Sequence, residues 1–265
     1  MKEVFRMWNN TKMVVLVALC AGLYAALLIP FKSLVLIPGI TEVRPASALP
    51  VVMGLLFGPA GAWGAAIGNL IGDFFGSLGV GSIFGFVGNF MFAYVPYKLW
   101  NNLGLVKKDK EPDLKSGKKI VTFVIVSILG SMSCALVIAA GLDILNMVPF
   151  AALGTIITLN NSIPSIVLGI PVLMLLYPRI KKWDLLYTDI MDKRDLPREG
   201  GLAKIGAMVM VLTIVIGLGG GLALALGAGQ AAFSAGFAAG GAGTASVGAV
   251  SGIASAMLII SGILQ

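Results

Sequence analysis

Glu42, Arg44, Asn69 and Asp73 are the residues of this chain whose types and spacing could do chemistry. They sit at the outer ends of residues 44–76, a stretch otherwise apolar enough for a bilayer. If the chain turns back at Gly58-Pro59, all four lie near one membrane face. The chemistry would be recognition. A guanidinium fork suits a carboxylate, phosphate or ring carbonyl, and carboxylates and amides supply complementary hydrogen bonds. Ionisable groups at a membrane cavity are expensive to keep and point to a site that grips a polar solute.

Bond-breaking chemistry is not indicated. The chain has no His, and its two cysteines, Cys20 and Cys134, stand inside apolar runs. A disulfide framework, a Cys/His zinc centre and the usual catalytic triads therefore drop out. Ser116-Gly117-Lys118 lacks the upstream Gly and following hydroxyl of a phosphate loop, and no G-x-S-x-G elbow occurs. Asp73 and Asp143 could carry protons in an ion-coupled carrier, but at external helix ends they are better placed to contact solute or cap a helix. No catalytic residue, metal or cofactor is expected. Cys20 is expected to be a small core residue, because Leu19 before it does not suit a lipoprotein cleavage site.

The elements that must position the polar residues are membrane helices. Hydrophobic residues make up 58% of the chain, charged residues 12%, and the mean hydropathy is +0.96. Soluble domains carry about 25% charge. Apolar segments run roughly 13–29, 46–58, 60–76, 82–100, 120–141, 150–178, 205–227 and 245–264. The first of these runs too long for a cleavable signal peptide.

The net charge of +7 does not indicate nucleic acid, because seventeen of nineteen Lys and Arg cluster at the N-terminus, at 98–119 and at 179–204. That is the positive-inside pattern. It places both termini in the cytoplasm, and the loops 30–45, 77–81, 142–149 and 228–244 outside. Lys32 and Arg44 alone stand outside the clusters. The short segment 46–58 either crosses or forms a re-entrant hairpin with 60–76, and Trp63 favours two crossing helices.

Small residues mark helix contacts. Gly64, Gly68, Gly72 and Gly76 recur every four residues, a smooth stripe for another helix. Ala18, Ala21, Gly22, Ala25 and Ala26 share a face of the first helix. That face could pack within the bundle or dock a separate protein. Asn160-Asn161 at membrane depth precedes Pro164 and Pro171, and an amide there needs a partner. After Lys204 no charge occurs through Gln265; this tail, with Gly217-x-x-x-Gly221, Gly236-x-x-x-Gly240 and Gly248-x-x-x-Gly252, reads as a helical hairpin with an external loop.

The run GLLFGPAGAWGAAIGNLIGDFFG, following a polar loop and a first helix with small residues, resembles the substrate-binding S components of energy-coupling-factor (ECF) vitamin transporters. It is most similar to the riboflavin-transporter-like and queuosine-precursor-transporter-like groups, over residues 10–180 or so. The resemblance implies an all-α polytopic membrane protein, with a six-helix solute-binding domain at 1–180, a basic cytoplasmic loop at 181–204 and an additional C-terminal hairpin at 205–265. It also implies a vitamin-like solute near the outer face, with Glu42, Arg44, Asn89, Asn160 and Asn161 in the regions that supply contacts. Ala21 and Ala25 match the family's Ala-x-x-x-Ala element, which docks a transmembrane T subunit, and Ala18 and Gly22 adjoin them. Two ATPase subunits on other chains would then power import across a prokaryotic plasma membrane. A self-sufficient carrier or channel, or a glycine-zipper assembly protein, is the alternative.

Overall fold

Glycine decides where the helices of this protein meet. The computed structural model describes residues 2–37, 40–106, 110–197, 200–227 and 242–264. After a short α1 (Lys2–Arg6) come α2 (Thr11–Leu28), α3 (Ala48–Phe57), α4 (Pro59–Asp73), α5 (Gly81–Leu99) and α6 (Gly117–Ile144). Then follow α7 (Phe150–Val167), α8 (Gly169–Lys182), the single turn α9 (Tyr187–Ile190), α10 (Gly201–Ala225) and α11 (Ala242–Leu264). Among the described residues, four helices are long and apolar enough to cross a membrane: Thr11–Phe31, Gly117–Ile144, Phe150–Val167 and Gly201–Ala225.

The glycine stripe of α4 lies on α2. A Cβ at Gly64 would come within 2.3 Å of Cys20 Cβ, and one at Gly68 within 2.7 Å of the Ala21 carbonyl. Only a bare backbone permits that approach. Between α3 and α4 the chain reverses at Gly58, whose φ of +55° lies in the left-handed region that favours glycine. The reversal sits against Tyr97 and Tyr187, while Asn69 and Asp73 lie against Gly85, at the other end of α5. Gly85 and Tyr97 stand about 18 Å apart along that helix. The hairpin thus runs from the Arg44 end to the basic end of the bundle. Near the basic end Trp63 donates from Nε1 to the Val4 carbonyl at 2.9 Å.

The tightest contact joins α3 to α5: a Cβ at Gly54 would stand 2.1 Å from the Ala93 carbonyl oxygen. Backbone cannot retreat as a side chain can. Gly54→Ala is therefore expected to cost about 1–3 kcal/mol or more, the range for overpacking. Thermal unfolding of the detergent-solubilised protein checks this; an unchanged midpoint would mean that α3 shifts freely against α5.

The fold is all-α, with one small antiparallel pair in the loop after α2, Val35–Ile37 with Thr41–Glu42, rich in β-branched residues. One expectation needs correction: the apolar segment 150–178 is not one helix. It breaks at Leu168 between α7 and α8, where Pro171 has no N–H to offer the carbonyl four residues before it.

At the basic end, α1 is held by a buried ion pair between Glu3 and Lys98 at 2.7 Å. Although burial alone raises a carboxyl group, Lys98 holds that of Glu3 below its ordinary value. Arg6 reaches Asp195 at 2.9 Å, tying the N-terminus to the segment after α9. The tail holds two helices packed against each other. Gly217 packs on Ala254 and Leu136, Gly221 on Phe150, and Gly248 on Ile144, so α10 and α11 lie along α6 and α7. The Gly236-x-x-x-Gly240 motif and positions 228–241 of the expected loop lie outside the described residues, as do Lys107, Lys108 and Arg198.

Candidate functional site

At the end of the bundle opposite the basic clusters, three chain segments bring charge together. A turn of 3-10 helix after α2 delivers Lys32, the β-pair and the residues just after it deliver Glu42 and Arg44, and the last turns of α4 deliver Asn69 and Asp73. Spaced four residues apart, Asn69 and Asp73 share a helix face, and Asn69 Nδ2 donates to Asp73 Oδ2 at 3.2 Å.

Lys32 Nζ lies 3.1 Å from Glu42 Oε1 and 3.2 Å from Asp73 Oδ1, and donates to Ser77 Oγ at 2.6 Å. Arg44 donates from Nη2 to Asn69 Oδ1 and to the Tyr24 hydroxyl, and its Nε stands 3.8 Å from Glu42 Oε1. Glu42, Arg44, Asn69 and Asp73 are all less than 9% exposed. Two cations thus neutralise two carboxylates away from water. Such a cluster is held by its completeness: deleting one partner of a buried pair costs about 3–5 kcal/mol.

Glu42, Arg44, Asn69, Asp73 and Ser77 line a cavity of about 80 Å³. Its walls include Thr41, whose buried hydroxyl oxygen has no hydrogen-bond partner, and Arg44, whose Nε has none either. Arg44 is thus both an ion-pair partner of Glu42 and part of the cavity wall.

The asparagines divide. Asn160 straps the β-pair from behind, donating from Nδ2 to the Glu42 carbonyl at 2.7 Å and accepting from Arg44 N at 3.3 Å. Asn161 accepts from Ser47 Oγ at 2.9 Å, and its buried Nδ2 has no partner. Asn89 is fully buried, takes the Tyr24 hydroxyl at 2.9 Å and donates to the Gly85 carbonyl at 2.8 Å. None of the three is among the residues lining the cavity. Asn160→Ala is expected to weaken solute binding by about 1–3 kcal/mol through a displaced Glu42–Arg44 backbone. Isothermal titration checks it, and an unchanged dissociation constant would show that the β-pair keeps its place without the strap.

Lys32 and Tyr24 are the site residues that sequence reasoning missed. Lys32 had a signal, as one of two basic residues outside the clusters. Tyr24 had none, because its hydroxyl gains meaning only from Asn89 and Arg44, which reach it from other elements. Asp143 is a helix cap: its Oδ1 accepts from Phe150 N at 2.9 Å, at the start of α7.

The small-residue face of α2 is split by α4. Ala21 and Ala25 are each 3% exposed and packed inside, with Gly64 and Gly68 against this side of the helix. Ala18, Gly22 and Ala26 are exposed, beside exposed Leu19, Leu23 and Leu27. A Cβ at Gly22 would meet nothing within 4 Å. Of the four residues expected to dock a partner, only Ala18 and Gly22 are within a partner's reach.

A family model described as QueT transporter matches residues 14–178, more than half of the chain, and stops short of α10 and α11. No curated protein and no solved structure matches.

Proposed function

The chain belongs to the QueT transporter family, and on that premise we propose that it is the membrane-embedded substrate-binding subunit of an ECF-type importer. It captures a vitamin or related micronutrient outside a prokaryotic plasma membrane. A T subunit and two ATPase subunits on separate chains then drive delivery. Residues 1–180 are the solute-binding domain, 181–204 a basic cytoplasmic loop, and 205–265 an additional helix pair flanking that domain.

The observation that carries this reading is the buried, charge-balanced cluster of Lys32, Glu42, Arg44, Asn69 and Asp73 around a cavity at one end of the bundle. Dry carboxylates, a guanidinium and amides offer a solute both donors and acceptors, each worth more there than in water. Equal numbers of charges suit an uncharged or zwitterionic solute. A ligand of one sign would leave an ion uncompensated. At about 80 Å³ the cavity holds little beyond water in this state, so the solute enters by taking over partners that Arg44 and Asp73 now find in each other's neighbours.

Native mass spectrometry of the purified protein tests the proposal, with one small molecule expected to co-purify. Uptake by the chain alone in liposomes, without ATPases, would replace this reading by a self-sufficient carrier.

A further inference from the structure

A second cavity lies at the basic end, far from Arg44. It measures about 340 Å³ and lies among the end of α5, the segment before α6, α8 and α9. Small-molecule pockets begin at about 300 Å³. Its character is aromatic: Tyr97, Trp100 and Tyr187 all line it, and the Tyr97 and Tyr187 rings meet edge to face at 5.1 Å.

Two polar atoms on this lining are unanswered. The Tyr97 hydroxyl, on a side chain 1% exposed, has no hydrogen-bond partner, and neither has the buried Oδ1 of Asn101 one turn further along. Buried polar groups are normally paired. An unanswered amide oxygen calls for an N–H or O–H donor, and a phenol can donate or accept.

Charge narrows the class further. Lys110 and Lys181 on the rim are matched by Glu111 and Asp189, and Lys181 is already paired with Glu111. A phosphate or carboxylate ligand, or an anionic lipid headgroup, needs surplus positive charge, which the described residues of this rim do not supply. A flat, uncharged ring fits the aromatic walls, and an N–H on that ring fits Asn101 Oδ1.

We propose that this cavity is a second small-molecule site, taking an uncharged, planar heterocycle that bears an N–H donor. It is independent of the site at Arg44. The Tyr97 and Tyr187 rings also bear on Gly58, where an added Cβ would lie 3.1 and 3.0 Å from them. An occupant therefore rests beside the turn of the α3–α4 hairpin whose far end carries Arg44, Asn69 and Asp73. Its mouth is on the side of the basic clusters, which the positive-inside rule assigns to the cytoplasm.

Benzimidazole, a flat ring with one N–H and neutral at pH 8, is the probe. Its binding to the full chain in lipid nanodiscs is followed by saturation-transfer NMR, with inorganic phosphate as competitor. Saturable binding is expected, untouched by phosphate and weakened about tenfold or more by Asn101→Leu. Tyr97→Phe keeps the ring and its packing, removes only the hydroxyl, and is expected to weaken binding as well; it decides the matter if Asn101→Leu fails to fold. Absence of saturable binding would mean a water-filled cavity and would overturn the proposal. So would displacement by phosphate or parent-like affinity in Tyr97→Phe.

Discussion

Replacing Ala18 and Gly22 together by leucine is expected to abolish ATP-driven uptake while solute binding and thermal stability stay at parent values. Both residues face outward on α2, and nothing lies within 4 Å of a Cβ at Gly22. In lipid, leucine there is harmless, yet it fills the shallow strip where a second membrane subunit would bring its backbone close. Ala21→Leu with Ala25→Leu should behave differently. Those residues are buried, with the α4 glycines against their side of the helix, so the added bulk would force the two helices apart and lower stability with or without solute. Co-purification with a T subunit, uptake and unfolding temperature together separate the outcomes. Normal transport by the Ala18/Gly22 double variant would remove this face as the docking surface. Lost docking in a stable Ala21/Ala25 double variant would restore the inner pair to that role.

Arg44→Ala should weaken solute binding at least tenfold, about 1.4 kcal/mol or more. The side chain joins Asn69, Tyr24 and Glu42, three groups from three parts of the chain, and it lines the cavity. Its loss leaves Glu42 to Lys32 alone, so the cluster carries one uncompensated negative charge. Arg44→Lys should recover part of the affinity, since it returns the charge without the planar fork. Affinity is to be measured by titration on well-folded protein. A parent-like dissociation constant for Arg44→Ala would exclude Arg44 from the site and leave it a purely structural ion.

Much of this architecture is legible in the amino-acid sequence. Apolar segments with basic residues between them announce a polytopic membrane protein, because bilayer insertion selects on composition and charge that any segment displays by itself. The four-residue recurrence of Gly64, Gly68 and Gly72 announces a close helix contact, because the period of a helix is a local property. The isolation of Arg44 and Glu42 from the basic clusters marks one end of the bundle as unusual in the same way. For α2, periodicity groups Ala18, Ala21, Gly22 and Ala25 correctly as near neighbours on the helix surface.

Periodicity does not show where the edge of the neighbouring helix falls. Only the docking of α4 places that edge between Ala25 and Ala18, covering one pair and leaving the other bare. The same limit hides that Tyr24 and Lys32 join the polar cluster, and that the amide of Asn89 is met by a tyrosine 65 positions away. The cavity at Tyr97 and Asn101 exists only because the segment before α6 and the turn α9 close over the end of α5. Residue types, spacing and charge are written along the chain and determined the class of protein and the outer-end residues to suspect. Partnership between distant segments is a property of packing in three dimensions, and it alone decided which polar groups are satisfied, which are left unanswered, and which faces remain open.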